Sequence, residues 1–262
     1  KKTHAGRKHL WRTSTALPYI VTALMLYLMS ACQRNPQTES NMQASAHLDS
    51  LARTCLSGRF DNPEEATRRL EQLENQQKDT ADRFHVELYM AVVQKGMQEI
   101  RNKVLQWCKT HPGHNYLSGM VWNHLGVELV GAGKIHESCK YFEKACHMLD
   151  GRIVNQSLVN AYINAANANL HIGRPVTAVQ HYRRAIFLAD SLNLDDIKPA
   201  IYCGLGQVYS MLENYPEARS CLNMAELRIH QQPPMERGFY FMTRGNCCFF
   251  EKKYEQALTM FD

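Results

Sequence analysis

Residues 202–225 read YCGLGQVYSMLENYPEARSCLNMA, two apolar-periodic runs on either side of a polar break. Tyr202, Leu205, Gly206 and Tyr209 recur at the spacing of one face of an α-helix, and so do Ala218, Leu222 and Ala225. Pro216 suits the first turn of the second helix, where a missing N–H costs nothing. Both runs carry a small residue in the middle of the apolar stripe, Gly206 and Ala218, so two antiparallel helices can approach closely there. One such pair cannot bury its apolar face alone and must stack on others.

The neighbouring sequence supplies the others. Trp122-x-x-Leu125-Gly126-x-x-Leu129 is followed by Ser138, Phe142 and Ala145, and Tyr162-x-x-Ala165-Ala166 by Ala178, Tyr182 and Ala185. Beyond the opening stretch, Phe241, Gly245 and Cys248 precede Ala257 and Phe261. The period is 39 to 40 residues, and in all four copies the small residue of the first helix precedes that of the second by twelve. No strand-like alternation competes with this pattern. On these residues, 119–262 resembles four tetratricopeptide (TPR) repeats, the last truncated, whose pattern is W-x2-L-G-x2-Y followed by A-x3-F over about 34 residues. The longer period, Asn169 at a usually large apolar position and Arg244 at a usual leucine depart from that pattern. The resemblance implies an all-α, right-handed superhelical solenoid of antiparallel helix pairs, with first helices lining a concave surface that receives a protein or peptide. Trp122, Tyr162 and Tyr202 are expected to fill the seam between paired helices.

Upstream, residues 48–118 read as degenerate helical repeats: Asn62-Pro63 is a helix start, and Ala66, Leu70 and Leu73 share a face. Before them, KKTHAGRKHLWR carries five basic residues and no acid, and residues 16–31 are uncharged and mostly apolar, too short for a comfortable membrane span. Residues 1–31 therefore read as a signal peptide. Met29-Ser30-Ala31-Cys32 resembles the lipobox of bacterial lipoproteins, with methionine where leucine is usual. That resemblance implies lipidation of Cys32 and a protein exported to the bacterial cell envelope, anchored at its periplasmic or outer-membrane face. Residues 32–47, polar and poor in large apolar side chains, are expected as a flexible tether.

The leader also explains the charge. The formal +5 comes from 30 basic and 25 acidic residues, and without the leader 25 stand against 25, so bulk charge gives no reason to expect nucleic acid as a partner. Nine cysteines include no CxxC pair, and apart from Cys32 they fall mostly at helix positions that favour small apolar residues, as buried free thiols do. Twelve histidines include no HExxH. Gly131-Ala132-Gly133-Lys134 lacks the following Ser or Thr of a phosphate loop and lies in a break between helices. No cofactor, metal or catalytic constellation is expected.

One feature points to a surface. NAYINAANANLHI, residues 160–172, holds four asparagines, each roughly half a kcal/mol less helix-favouring than alanine. At about 100° per residue, Asn160, Asn164, Asn167 and His171 share a sector of about 60°, and Asn169 lies opposite. By the repeat register Asn123 and Gln207 flank this row on the neighbouring first helices. Amides donate and accept, so such a row can grip an extended peptide backbone. Solvated helix faces usually carry Glu and Lys, and this one has neither. The expected function is a membrane-tethered interaction module that binds a protein or peptide in its groove. The alternative is the extracytoplasmic sensor region of a longer transmembrane signalling or transcription regulator.

Overall fold

The computed structural model describes residues 36–56, 62–94, 97–151 and 153–261. The leader, and with it Cys32, lies outside the described residues. Two compact units divide after Asn41. Of the first, residues 36–41 are described, and they are helical. The second, Met42–Asp262, holds the rest.

Among the described residues all regular structure is helical. The helices are α1 (Pro36–Cys55), α2 (Pro63–Asn75), α3 (Thr80–Gln94), α4 (Met97–Thr110), α5 (Asn115–Gly131) and α6 (Ile135–Leu149). They continue as α7 (Gln156–His171), α8 (Pro175–Ser191), α9 (Lys198–Met211), α10 (Tyr215–Ile229), α11 (Pro234–Phe250) and α12 (Tyr254–Phe261). None of them is long and apolar enough to cross a membrane. Extensive packing joins α5 to α6, α7 to α8, α9 to α10 and α11 to α12, and each pair packs on the next, which makes an all-α solenoid. Upstream, α2 packs on α3, α3 on α4 and α4 on α5.

The residues that set the period also set the crossings. A Cβ placed on Gly126 would lie 2.5 Å from the Phe142 ring, one on Gly206 2.8 Å from Leu222, and one on Gly245 2.5 Å from the Phe261 ring. Each glycine thus faces the second-helix residue sixteen positions on, and Ala166, fully buried, stands in the same register to Tyr182. Ser138, Ala178, Ala218 and Ala257 are buried at the reciprocal position. The seam is filled from the second helices: Phe142, Tyr182 and Leu222 are at most 2% exposed. Trp122, Tyr162 and Tyr202, expected to fill it from the first helices, are only half-buried, and the Trp122 ring lies under the Lys144 ammonium at 3.6 Å. Their rings are long enough to pass the crossing and reach its rim, whereas the side chain directly opposite a glycine is enclosed.

The turn within each pair has one geometry. Gly133, Gly173, Glu213 and Lys252 all have positive φ, between 57° and 76°. In each case the next N–H donates back across the turn, from Lys134 to the Leu129 carbonyl at 2.8 Å and from Asn214 to the Tyr209 carbonyl at 2.9 Å, for example. This is the helix-ending motif that a left-handed residue permits. Glycine adopts it freely in the first two copies. Helix starts are equally local: the Asn62 side chain accepts from the Glu65 N–H at 3.0 Å, and the Asn155 side chain from that of Leu158 at 3.3 Å.

Part of the stretch expected as a tether over residues 32–47 is helical. Its residues 36–47 belong to α1, and 32–35 lie outside the described residues. Low apolar content argued for a flexible segment, but the last turns of α1 bury Leu48, Ala52 and Leu56. A helix held at a packed end propagates outwards through residues that would not nucleate one themselves.

Candidate functional site

Asn123 lies on α5, Asn160, Asn164, Asn167 and His171 on α7, and Gln207 on α9. These are the first helices of three consecutive pairs, and α7 packs between α5 and α9. Asn164 Nδ2 donates to Asn123 Oδ1 at 3.0 Å, which joins the row across two helices. Asn167 is exposed and accepts a hydrogen bond from the Tyr182 hydroxyl. Tyr182 crosses the seam to α9, where a Cβ on Gly204 would meet its ring, so Asn167 ties the surface to the packing beneath it. Among the described residues, none hydrogen-bonds the side chains of Asn160, His171 or Gln207. They are the members of the row whose side chains are wholly unengaged. Asn169, predicted to point away, is fully buried; its amide donates to the Ala165 carbonyl at 2.9 Å and to Glu143 at 3.3 Å.

A second cluster adjoins the row, and the sequence reading missed it. Asp49 of α1 is 1% exposed. Its Oδ1 accepts from the Ser157 hydroxyl of α7 at 2.8 Å, from His85 Nε2 of α3 at 3.2 Å and from the Tyr89 hydroxyl. Arg53, one turn on, donates from Nε to Asp49 Oδ2 at 3.1 Å and from Nη2 to Ser157 at 2.7 Å. Burial alone would raise the Asp49 pKa; the His85 bond, the Arg53 charge and the Tyr89 bond outweigh it and hold the carboxyl well below the usual range. Burial and the neighbouring carboxylate push the Tyr89 hydroxyl up. His124 of α5 is pushed down to about 4 by burial and then by the Arg53 charge, against the opposing pull of Asp49. The signal was available in Leu48-Asp49-x-x-Ala52-Arg53-x-x-Leu56, an apolar frame at i, i+4 and i+8 with an ion pair one position behind it.

The two clusters share a wall. A cavity of about 150 Å³ is lined by Arg53, Leu56, Tyr89, His124, Asn123 and Asn160, among others. The chemistry on offer at this wall is hydrogen bonding from amides, an imidazole, hydroxyls and the Arg53 guanidinium.

The described cysteines form no disulfide. Burial raises the thiol pKa of Cys139 and Cys221 to about 11 and of Cys203 to about 12, as expected of packing residues.

No family model matches the chain, and no curated protein matches it in sequence. Solved structures do. The crystal structure of BtubC (BKLC) from P. vanneervenii is 14% identical, with a TM-score of 0.53 over 85% of this chain and 87% of that one. The crystal structure of the APC/C hetero-tetramer Cut9–Hcn1 is 12% identical, with a TM-score of 0.53 over 84% of this chain and 43% of that one, so the chain spans less than half of the latter's length. Such likeness, together with three equivalent glycine crossings, supports a TPR-like repeat fold.

Proposed function

We propose that this chain is a membrane-tethered protein-interaction module of the bacterial envelope that binds a protein or peptide along the first helices of its repeats. The observation that carries the reading is the amide row over α5, α7 and α9. Its members sit at the surface of adjoining helices, Asn164 and Asn123 are already paired across them, and Asn160, His171 and Gln207 have free hydrogen-bonding capacity. An extended backbone presents the complementary donors and acceptors, and a broad groove spreads the affinity over many contacts.

His171→Ala with Gln207→Ala removes two such members without breaking a hydrogen bond inside the protein. Capture of envelope proteins by the immobilised chain is expected to fall by roughly ten-fold, about 1.4 kcal/mol, with the far-UV CD spectrum unchanged. Undiminished capture would return the row to the role of a solvated face. The tether is tested separately: Cys32→Ala should abolish metabolic labelling by a fatty acid and release the protein from the membrane fraction, since several acyl chains hold a protein stably where one does not. Labelling that persists in the variant refutes lipidation at Cys32.

A further inference from the structure

Resting on the groove reading above, we propose that the surface formed by α3, α5 and α7 is a helix-binding seat, that α1 is its resident occupant, and that the partner is a protein presenting an amphipathic helix with the same acidic anchor. The α1 helix does not lie here as a member of a stacked pair. Its polar side chains bond to α3 through His85 and Tyr89 and to α7 through Ser157, more than a hundred residues away in sequence. Its apolar side chains Leu48, Ala52 and Leu56 are buried on the same side, while Ser50, Leu51 and Thr54 are exposed. This is the contact pattern of an amphipathic helix laid in a groove, read at i, i+4 and i+8.

The seat selects a carboxylate. Three donors from two helices converge on one oxygen of Asp49, and Arg53 closes the other side. A ligand helix lacking an acid at that position would take the shared acceptor from His85, Tyr89 and Ser157, leaving only the 3.1 Å contact between the two hydroxyls, whereas one carrying it would reproduce every bond. The partner's helix therefore needs apolar residues at i, i+4 and i+8, an acid at i+1 and a cation at i+5. The cavity that joins the seat to Asn123 and Asn160 makes the seat and the amide row one continuous surface. A buried ion pair fixes register, so an incoming helix competes with α1 only if it supplies the same pair at the same position. Because α1 is tethered to its own seat, an incoming helix binds with an affinity reduced by the fraction of time the seat is filled.

The probe is a fluorescent peptide of residues 44–56, ASAHLDSLARTCL, kept reduced and titrated into the full chain by anisotropy. Wild type is expected to bind it weakly, and a chain carrying Leu48→Ser and Asp49→Ala in its own α1 to bind it at least about ten-fold more tightly, because its seat is vacated. A peptide bearing Asp49→Asn should lose most of that gain. A second measurement needs no substitution: excess peptide should accelerate amide hydrogen exchange of α1 in the wild-type chain. Equal affinity in both chains, indifference to Asp49→Asn or unchanged exchange at saturating peptide overturns the proposal. Concentration-dependent dimerisation of the wild-type chain by light scattering, with α1 exchanged between copies, also overturns it by assigning the seat to a second copy. Among the described residues no hydrogen bond from α1 reaches His171 or Gln207, so failure here leaves the amide-row test intact, and failure there leaves this one intact.

Discussion

Asp49→Ala is expected to destabilise the docked end of α1 by about 3 kcal/mol, the cost of removing one partner from a buried charged cluster. The loss is large because the partners stay behind. His85 is fully buried and Tyr89 3% exposed, and both lose an acceptor that water reaches poorly, while Arg53 loses its counter-ion. The damage stays local, since α1 can lift away while the stacked pairs remain. Hydrogen exchange should therefore show α1 amides opening far more readily, with a smaller shift in the thermal midpoint of the whole chain. Unaltered α1 protection would show that the cluster is incidental to docking.

The same variant changes the acid response. The pKa of His124 is about 4 in the folded chain against 6.5 for a free histidine, so between those values the unfolded chain binds the proton first and stability rises with pH. The groups facing this site are Asp49 and Arg53 from α1, His85 and Tyr89 from α3, and Ser157 from α7. Lifting α1 uncovers His124 and removes the Arg53 charge, which returns its pKa towards 6.5. Asp49→Ala should accordingly flatten the climb of the urea midpoint between pH 4 and 6.5, and an unchanged slope would place the cause elsewhere. Asp49 itself acts lower. Its pKa is depressed from 3.8, so its contribution is fully present above that value and is lost as pH falls through the folded value.

Phe142→Ala should have an effect at least as large, about 3–5 kcal/mol in chemical denaturation, because the ring is 2% exposed and packed into the α5–α6 seam. Gly126 makes the seam testable from the other side. A methyl there would stand 2.5 Å from the Phe142 ring, so Gly126→Ala should cost about 1–3 kcal/mol by overpacking. Combining Gly126→Ala with Phe142→Leu offers the methyl the space the ring gives up. The double variant is expected to be about 1 kcal/mol more stable than the sum of the single changes. Strict additivity would mean that the two residues do not share one crossing.

The repeat was legible because its determinants are local. Gly126, Gly206 and Gly245 are small for a steric reason that recurs at a fixed spacing, and a steric requirement leaves the same mark in each copy. The row of Asn123, Asn160, Asn164, Asn167, His171 and Gln207 could be placed from the register, but register does not reveal bonding. Asn167 looked free and is held by Tyr182, and Asn164 looked free and is held by Asn123. The α1 ion pair was legible in its own frame, but its partners were not. Its partners lie 36 to 108 residues from Asp49, and no periodicity links Asp49 to Ser157. Composition over 36–47 scores what a segment can bury by itself, whereas α1 buries its side chains at its far end, at Leu48 and Ala52.

A stack whose units touch only their neighbours behaves as a coiled spring, since small tilts at successive joints add and nothing opposes their sum. The bonds from α1 to α3 and α7 work as a strap across several of those joints. Stretching or unwinding the coil there must first break the grip on Asp49, whereas α9 to α12 lie beyond the strap's reach. Within Met42–Asp262 the strapped helices are accordingly stiffer than α9 to α12, and a load along the stack would be taken up first by the unstrapped turns.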